Sequence, residues 1–355
     1  MKRFLVTLLA LVVLAGGVVA AQPRATITGA GASFPFPLYT LWFAEYNKLT
    51  GVEVNYQSIG SGGGIRQVTE RTVEFGGTDA ILNAEQKQKV APNYLLHIPT
   101  AIGGAVATYN LPELRGGEVL RFTPDLLVDI FLGKIRAWND ARIRAVNPGV
   151  NLPDRPIVIV HRSDGSGTTF IWTDYLSKVS EEWRTRVGRG TSVNWPTGLG
   201  GRGNEGVTAI VRQTPGAIGY VEFIYAKANN LPAGLVRNKS GNFVGATLEA
   251  MALAANLPNL PADMEVMVTD TDHPNGYPLT AFTWVLVYRD QSYGARTREQ
   301  AQRLVDLLWW IIGPAQAFNA RLEYARIEGA ALEKTRALLN QITFELQPLR
   351  PSRNF

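Results

Sequence analysis

The sequence alternates short β-branched runs with segments of helical period, and turns rich in glycine and serine separate the two. The clearest β-branched run covers residues 157–160 and passes through the turn 161–167 into a helical pattern. An alternating strand over residues 52–56 enters a second turn of this kind. About 334 residues follow the first 21, which is more than one hydrophobic core usually serves. The pattern therefore predicts two α/β lobes.

The turn after residues 157–160 is suited to holding an oxyanion. The first N–H groups of the helix that follows have no intrahelical partner, and they lie at the positive end of the helix dipole. Ser166 and Thr168 supply hydroxyl donors, and Gly167 lets the backbone approach a ligand closely. Arg162 supplies a planar guanidinium group just upstream. Taken alone, the segment fits an ordinary capped turn equally well.

Two further turns of this kind lie nearer the N-terminus. Small residues precede Ser33, and the proline two positions after it suits a first helical turn, so Ser33 is predicted to be a helix N-cap. The glycine-rich loop 57–64 is predicted to precede a helix that begins near Ile65, and Ser61 can point into that helix N-terminus. One such turn is usually only a turn. Three of them, each between a strand and a helix, indicate a ligand site at the carboxyl ends of the strands.

Four motifs in order along the chain resemble those of a known family. They cover residues 29–35 (GAGASFP), 56–64 (YQSIGSGGG), 75–80 (FGGTDA) and 162–168 (RSDGSGT). Together they resemble the periplasmic phosphate-binding proteins of the ABC phosphate uptake system. The resemblance implies an α/β fold of the two-lobed periplasmic-binding-protein type II, with a hinge of two crossing strands and a ligand cleft between the lobes. It also implies a monomeric protein that is not an enzyme, needs no cofactor or metal, binds inorganic phosphate with high affinity and delivers it to the permease subunits of an ABC transporter.

The resemblance also assigns the phosphate contacts residue by residue. They comprise hydroxyl groups, backbone N–H groups, a guanidinium group and one carboxylate, and they are Ser33, Phe34 through its N–H, Ser61, Asp79, Arg162, Ser166, Gly167 and Thr168. Asp164 is the implied partner that steadies Arg162. The family commonly has threonine at the position of Ser33, and serine keeps the hydroxyl group.

Asp79 is unusual in an anion site, because an ionised carboxylate repels phosphate and only accepts hydrogen bonds. Monobasic and dibasic phosphate carry a proton that Asp79 can accept, whereas sulfate at neutral pH carries none. We therefore interpret Asp79 as a filter against fully deprotonated oxyanions. Without the resemblance, the segment 76–79 also fits a turn capped by an aspartate.

In the family the chain crosses between the lobes twice. We therefore place lobe I at residues 22–98 plus 276–355 and lobe II at residues 99–275, with crossings near residues 97–100 and 275–278, where proline interrupts extended runs. Residues 231–274 and 328–355 match the family less clearly, which leaves their loop structure open.

The N-terminus has the pattern of an export signal. Lys2 and Arg3 precede an apolar stretch over residues 4–15, and small residues at 19–21 fit the specificity of a signal peptidase. We expect residues 1–21 to be removed and the product to be periplasmic, with an uncleaved membrane anchor as the alternative. The sequence has no cysteine, which excludes disulfides and a lipid anchor on an N-terminal cysteine.

Other chemistries fit the sequence less well. The formal net charge is +5, but the basic residues are scattered, so no nucleic-acid partner is expected. The segment 201–206 formally fits a dinucleotide fingerprint, but no strand is predicted before it. The three histidines lack metal-ligand spacing, and on an extended strand His161 points away from the face of Arg162. The alternatives left open are a secreted phosphatase-like enzyme with the same oxyanion cradle and a receptor for another oxyanion.

Overall fold

The computed structural model describes residues 25–114 and 117–353, so the predicted signal peptide at 1–21 lies outside the described residues. The strands are β1 (Thr26–Gly31), β2 (Glu53–Ser58), β3 (Phe75–Thr78), β4 (Leu95–Tyr109), β5 (Arg121–Phe122), β6 (Val158–Arg162), β7 (Leu199–Gly201), β8 (Ala217–Glu222), β9 (Leu235–Arg237), β10 (Phe243–Val244), β11 (Thr280–Tyr288), β12 (Thr343–Phe344) and β13 (Gln347–Pro348).

The helices connect these strands, and most of them follow a strand directly. They are α1 (Phe36–Thr50), α2 (Ser61–Thr69), α3 (Ala84–Gln88), α4 (Pro124–Phe131), α5 (Ala141–Val146), α6 (Gly167–Val179), α7 (Glu181–Arg186), α8 (Gly203–Gln213), α9 (Phe223–Ala228), α10 (Leu248–Ala255), α11 (Arg298–Ile312) and α12 (Gly329–Leu339). A 3₁₀ helix covers Pro314–Leu322.

A mixed eight-stranded sheet runs through the molecule in the order β2-β1-β3-β11-β4-β8-β6-β7. In one half, β1 pairs in parallel with β2 and β3, and in the other half β6 pairs in parallel with β7 and β8. We refer to β2, β1, β3, β11 and their helices as lobe I, and to β8, β6, β7 and theirs as lobe II. The antiparallel pair β4 and β11 lies in the middle of the sheet.

The long strand β4 joins the two lobes, and all of its residues are buried. Its residues 95–104 pair with β11 and its residues 105–109 pair with β8. The second crossing runs beside this point, because Ala105 N–H donates to the Leu279 carbonyl and the Tyr277 hydroxyl donates to the Ala105 carbonyl at 2.9 Å. The two crossing segments therefore touch at Ala105. The lobe boundaries themselves stay a prediction.

The three strand-to-helix turns that the sequence indicates follow β1, β2 and β6 at the carboxyl ends of these parallel strands. One helix begins earlier than predicted: α2 starts at Ser61, so the glycines 62–64 lie in its first turn instead of before it. The packing at Gly64 accounts for a glycine inside the helix. A Cβ there would lie 2.5 Å from the Gly31 Cα and 2.7 Å from the Gly77 carbonyl oxygen. Glycine lets α2 lie directly on β1 and β3.

Two other predictions from local patterns were wrong. Ser33 is not the N-cap of α1, because that helix begins at Phe36 with Pro35 at the cap position and no side-chain cap. A strand does lead into the segment 201–206, because the short strand β7 directly precedes α8. β7 has three residues, two of them glycine, and therefore lacks the β-branched run that predicts a strand.

The apolar run 304–312 forms the buried half of α11, and the helix ends at Ile312 with Gly313 as its C-cap. Within residues 25–114 and 117–353, no helix has the length and apolar character needed to cross a membrane.

Candidate functional site

The candidate site lies where the turns after β1, β2, β3 and β6 meet at the boundary between the lobes. The structure brings all the phosphate contacts assigned by the resemblance into this region together with Asp164, and the non-glycine contacts are at most 4% exposed. Ser33, Phe34, Ser61 and Asp79 come from lobe I, and Arg162, Ser166, Gly167 and Thr168 come from lobe II. The site is therefore a small, desolvated space between two sets of polar groups.

The two lobes are in direct backbone contact at this site. Gly62 N–H, in the first turn of α2, donates to the Gly165 carbonyl at 2.9 Å. A Cβ on Gly62 would lie 3.1 Å from the Gly165 Cα, and a Cβ on Gly60 would lie 2.3 Å from Asp164 Oδ2. Only turns without side chains at these positions can come this close.

The N-terminus of α6 presents free N–H groups to the site. Ser166 is the N-cap, and its Oγ accepts from Thr169 N–H at 3.0 Å. Gly167 and Thr168 are the first two helical residues, so their N–H groups have no intrahelical acceptor. A Cβ on Gly167 would lie 2.3 Å from Asp79 Oδ2 and 2.5 Å from Ser61 Oγ. Glycine is therefore required where α6 meets lobe I.

The side-chain hydroxyl groups of the site are held with their oxygens toward protein N–H groups. Ser61 Oγ accepts from Asp79 N–H at 3.2 Å, and Ser33 Oγ accepts from two N–H groups of Asn204. Thr168 Oγ1 accepts from Asn204 Nδ2 at 3.2 Å. Because a hydroxyl has one proton and two lone pairs, the oxygens of Ser33 and Thr168, which already accept from the protein, are set up to donate elsewhere. Ser61 Oγ also donates to Asp79 Oδ2, at 3.5 Å.

Arg162 is fixed by a forked ion pair with Asp164. Its Nε donates to Asp164 Oδ1 at 2.7 Å, and its Nη2 donates to Oδ2 at 2.5 Å. Burial raises the pKa of Asp164, but the hydrogen bonds and charge of Arg162 and the Gly203 N–H outweigh it, so the net pKa is lowered. Asp164 is therefore ionised and holds the guanidinium plane, leaving Nη1 directed toward Thr168 Oγ1 at 3.5 Å.

Asp79 is the carboxylate that faces this set of donors. Burial raises the pKa of Asp79 to about 7, although the Thr283 hydrogen bond, Arg162 and Ser61 act in the opposite direction. Thr283 Oγ1 donates to Asp79 Oδ1 at 2.7 Å, and Oδ2 lies near Ser61 Oγ at 3.5 Å. One carboxyl oxygen is thus held by β11, and the other points toward the start of α6.

Two tyrosines donate hydrogen bonds to the backbone carbonyls of Ser33 and Phe34. The Tyr225 hydroxyl of lobe II donates to the Ser33 carbonyl at 2.6 Å, and the Tyr324 hydroxyl of lobe I donates to the Phe34 carbonyl at 2.5 Å. The C=O and N–H of one trans peptide unit point in opposite directions, so the bond from Tyr225 directs the Phe34 N–H away from Tyr225. In the described part of the chain, that N–H has no backbone or side-chain acceptor.

A second buried carboxyl, Glu222, lies behind the site. Burial raises the pKa of Glu222 well above its usual value, which favours the neutral acid, and the Tyr324 hydroxyl lies 3.2 Å from its Oε2. The neutral form adds no negative charge beside an anion site.

Two side chains of the site, Asn204 and Thr283, were not predicted from the sequence. Asn204 bonds to both Ser33 and Thr168, and its signal in the sequence is its place at a helix start directly after Gly201-Arg202-Gly203. Thr283 is a polar residue within the otherwise apolar strand β11, and its hydroxyl holds Asp79. Both lie far along the chain from the motifs that identify the site.

His161 lies outside the site, as its position on a strand predicts. Its ring stacks on Trp195 with the ring centroids 4.9 Å apart, and its Nδ1 lies 3.0 Å from the Arg162 carbonyl. No side-chain base of the described residues is hydrogen-bonded to Ser166 Oγ, whose partner is the Thr169 N–H.

Comparisons with known proteins identify the family of the chain. Residues 18–308 match the model of the PBP superfamily domain. The phosphate-binding protein PstS of Pasteurella multocida is 46% identical over 88% of this chain and 89% of its own length. PstS of Haemophilus influenzae is 43% identical over 85% of this chain and 89% of its own length.

A solved structure shares the fold of the chain. The high-affinity periplasmic phosphate-binding protein PfluDING, solved with phosphate bound, has a TM-score of 0.70 at 20% identity and covers 88% of this chain and 93% of that chain. The two-lobed α/β fold of type II is thereby confirmed.

The raised pKa of Asp79 predicts a pH dependence of folding. A carboxyl whose pKa is raised by folding stabilises the protein at low pH, and this contribution is lost as the pH rises through about 7. In phosphate-free buffer, the difference in unfolding free energy between wild type and Asp79→Asn should therefore shift against wild type, by on the order of 3 kcal/mol, between pH 4 and pH 8. Urea unfolding at each pH measures this difference, and a difference that does not change with pH would contradict the assignment.

Proposed function

The chain belongs to the PstS family of phosphate-binding proteins within the PBP superfamily, and from this membership we propose that it binds inorganic phosphate with high affinity and delivers it unchanged to the permease subunits of an ABC importer. The observation that best supports the proposal is the buried set of hydroxyl, N–H and guanidinium donors, in which each hydroxyl oxygen already accepts from a protein N–H. Such a set is matched to a ligand whose surface consists of acceptor oxygens.

In this proposal both lobes contact the same phosphate. Lobe I supplies the hydroxyls of Ser33 and Ser61, the Phe34 N–H and the Asp79 carboxylate. Lobe II supplies the guanidinium of Arg162 and the donors at the start of α6, which are Ser166, Gly167 and Thr168. A ligand held by both lobes favours the closed arrangement through its higher affinity for it, and closure is a signal that a permease can recognise. All the proposed contacts can be made within one chain, so the proposal requires no second copy.

Asp79 gives the proposed site its selectivity. An ionised Asp79 accepts the proton of hydrogen phosphate, but it faces an unprotonated oxygen when sulfate is bound. At pH values above its pKa of about 7, Asp79 is ionised and must take up a proton before it can donate a hydrogen bond to sulfate. The rejection of sulfate should therefore become stronger as the pH rises.

The alternative, a phosphatase-like enzyme with the same cradle, has less support. A serine nucleophile needs a base that accepts its proton. Ser166 Oγ instead accepts from the Thr169 N–H, and the ring of His161 stacks on Trp195. We therefore propose that the protein binds phosphate without catalysing a reaction on it.

We also propose that the protein works in the periplasm after loss of residues 1–21. The export pattern at the N-terminus supports this location. The intact mass of protein recovered from the periplasm should correspond to a chain that begins at Gln22, or at Ala21 if cleavage falls one residue earlier. A mass that retains residues 1–20 would indicate a membrane anchor instead.

The selectivity of the site is expected to depend on pH through Asp79. Because sulfate binding above the pKa of Asp79, about 7, requires that Asp79 first take up a proton, the ratio of phosphate to sulfate association constants should rise by up to about tenfold per pH unit between pH 7 and pH 9. Isothermal titration calorimetry with each anion measures the ratio, and arsenate, which keeps a proton at these pH values, should compete with phosphate. In Asp79→Asn the rise should disappear. A ratio near one for the wild type at pH 8 would rule out the filter.

Ser166 allows the binding and enzyme proposals to be separated. Ser166→Ala should weaken phosphate binding by roughly 1.5–3 kcal/mol, the scale of one hydrogen bond to a charged group. Ser180→Ala is a matched control, because Ser180 caps α7 through Trp183 N–H in the same way but lies outside the site. Both variants should lose about 1 kcal/mol of stability, and only the first should lose affinity. If the wild type hydrolyses a phosphomonoester and Ser166→Ala abolishes this activity, the result favours the enzyme proposal.

A further inference from the structure

Asn204 connects hydroxyl groups of the two lobes at the candidate site. Its side chain is completely buried, and it lies in the first turn of α8. Its Nδ2 donates to Ser33 Oγ at 2.8 Å and to Thr168 Oγ1 at 3.2 Å. Its backbone N–H also donates to Ser33 Oγ, at 3.1 Å. A lobe II residue thus holds one hydroxyl from each lobe.

The orientation of the Asn204 amide is fixed from behind. Its Oδ1 accepts from the Glu222 N–H at 3.0 Å. A backbone N–H can only donate, so the oxygen of the amide must face Glu222 and the NH₂ group must face the two hydroxyls. Asn204 therefore acts toward Ser33 and Thr168 as a donor only.

This arrangement decides where the hydroxyl protons point. Ser33 Oγ accepts from two N–H groups of Asn204, which uses both of its lone pairs. Thr168 Oγ1 accepts from Asn204 Nδ2 and faces Arg162 Nη1 at 3.5 Å. The proton of each hydroxyl can therefore donate to another acceptor. The space around the two hydroxyls that Asn204 and Arg162 do not occupy is the candidate ligand site.

The contact with Ser33 exists only when the lobes meet, because Ser33 belongs to lobe I and Asn204 to lobe II. In an open arrangement, the Ser33 hydroxyl would lose both donors and its proton could point to water. Closure thus converts a freely rotating hydroxyl into a directed donor.

We propose that Asn204 is a positioning residue that couples lobe closure to the donor orientation of the Ser33 and Thr168 hydroxyls. The inference rests on the proposed function, phosphate binding, and assigns Asn204 no contact with the phosphate itself. It adds to that function a residue that determines affinity from outside the set of ligand contacts.

The first test compares two substitutions at Asn204 by calorimetry with inorganic phosphate at pH 8. Asn204→Ala should weaken binding about tenfold to a hundredfold, because the hydroxyls lose their fixed orientation. Asn204→Asp should weaken it further, because a carboxylate accepts the two hydroxyl protons and turns both oxygens away from a donor role. If the Asn204→Asp variant binds phosphate as tightly as the Asn204→Ala variant, the proposal is overturned.

Asn147→Ala is the matched control for loss of a buried asparagine. Asn147 in lobe II is 4% exposed and makes three hydrogen bonds to the backbone of Arg121 and Ile143, away from the site. It should lower the thermal unfolding temperature and leave the phosphate dissociation constant unchanged. If Asn204→Ala does not fold, the phosphate dissociation constant of the nearly isosteric Asn204→Asp is compared with that of the wild type instead.

A double-mutant cycle separates positioning from a general structural role. In the background Ser33→Ala with Thr168→Val, the hydroxyls that Asn204 orients are gone, so Asn204→Ala should change the dissociation constant by less than about twofold. An unchanged tenfold or larger effect in that background would refute positioning. Failure of the wild type to bind phosphate would instead refute the proposed function, so the two failures are distinguishable.

Discussion

The contact between two glycine-rich turns, in which Gly62 N–H donates to the Gly165 carbonyl, sets the size of the site and with it most of its chemistry. Because the turns meet, Ser61 and Gly167 face each other across the lobe boundary and water is excluded from Asp79. The raised pKa of Asp79 follows from that exclusion, since burial is its largest cause. A Cβ on either glycine of the contact would lie 3.1 Å from the Cα of the other, so the two turns could not meet as closely as they do.

The charges of the site are arranged so that neutral dipoles carry much of the attraction for an anion. Arg162 is positive, but Asp164 forms a forked pair with it and is ionised because its pKa is lowered. The raised pKa of Glu222 favours its neutral form. The remaining donors are hydroxyl and N–H groups whose orientation the protein fixes in the closed arrangement. Dipoles fixed in this way are effective in a dry site because they need no reorientation by the bound anion.

The sequence predicts the parts of the site that local chain patterns encode. The turns after β1, β2 and β6 are recognisable from glycine, serine and β-branched runs, and the family motifs point to Asp79. Ser33 was misplaced as a helix cap because its partner, Asn204, lies 171 residues further along the chain. Thr283 was missed for the same reason, since it reaches Asp79 only through the pairing of β11 with β3. Pairing of this kind depends on the assembled sheet and leaves no periodic signal.

The features that suit the site to binding phosphate also oppose catalysis by its hydroxyl groups. Activation of a serine requires a base whose lone pair accepts the hydroxyl proton. At Ser33 and Ser166 the opposite polarity holds, because their oxygens accept from N–H groups and keep their protons available to a ligand. A hydroxyl in this state stabilises an oxyanion as a donor and is a poor nucleophile. In the proposed function, phosphate binding and the lack of activation of Ser33 and Ser166 therefore have one structural cause, which is the direction of the hydrogen bonds to these hydroxyls.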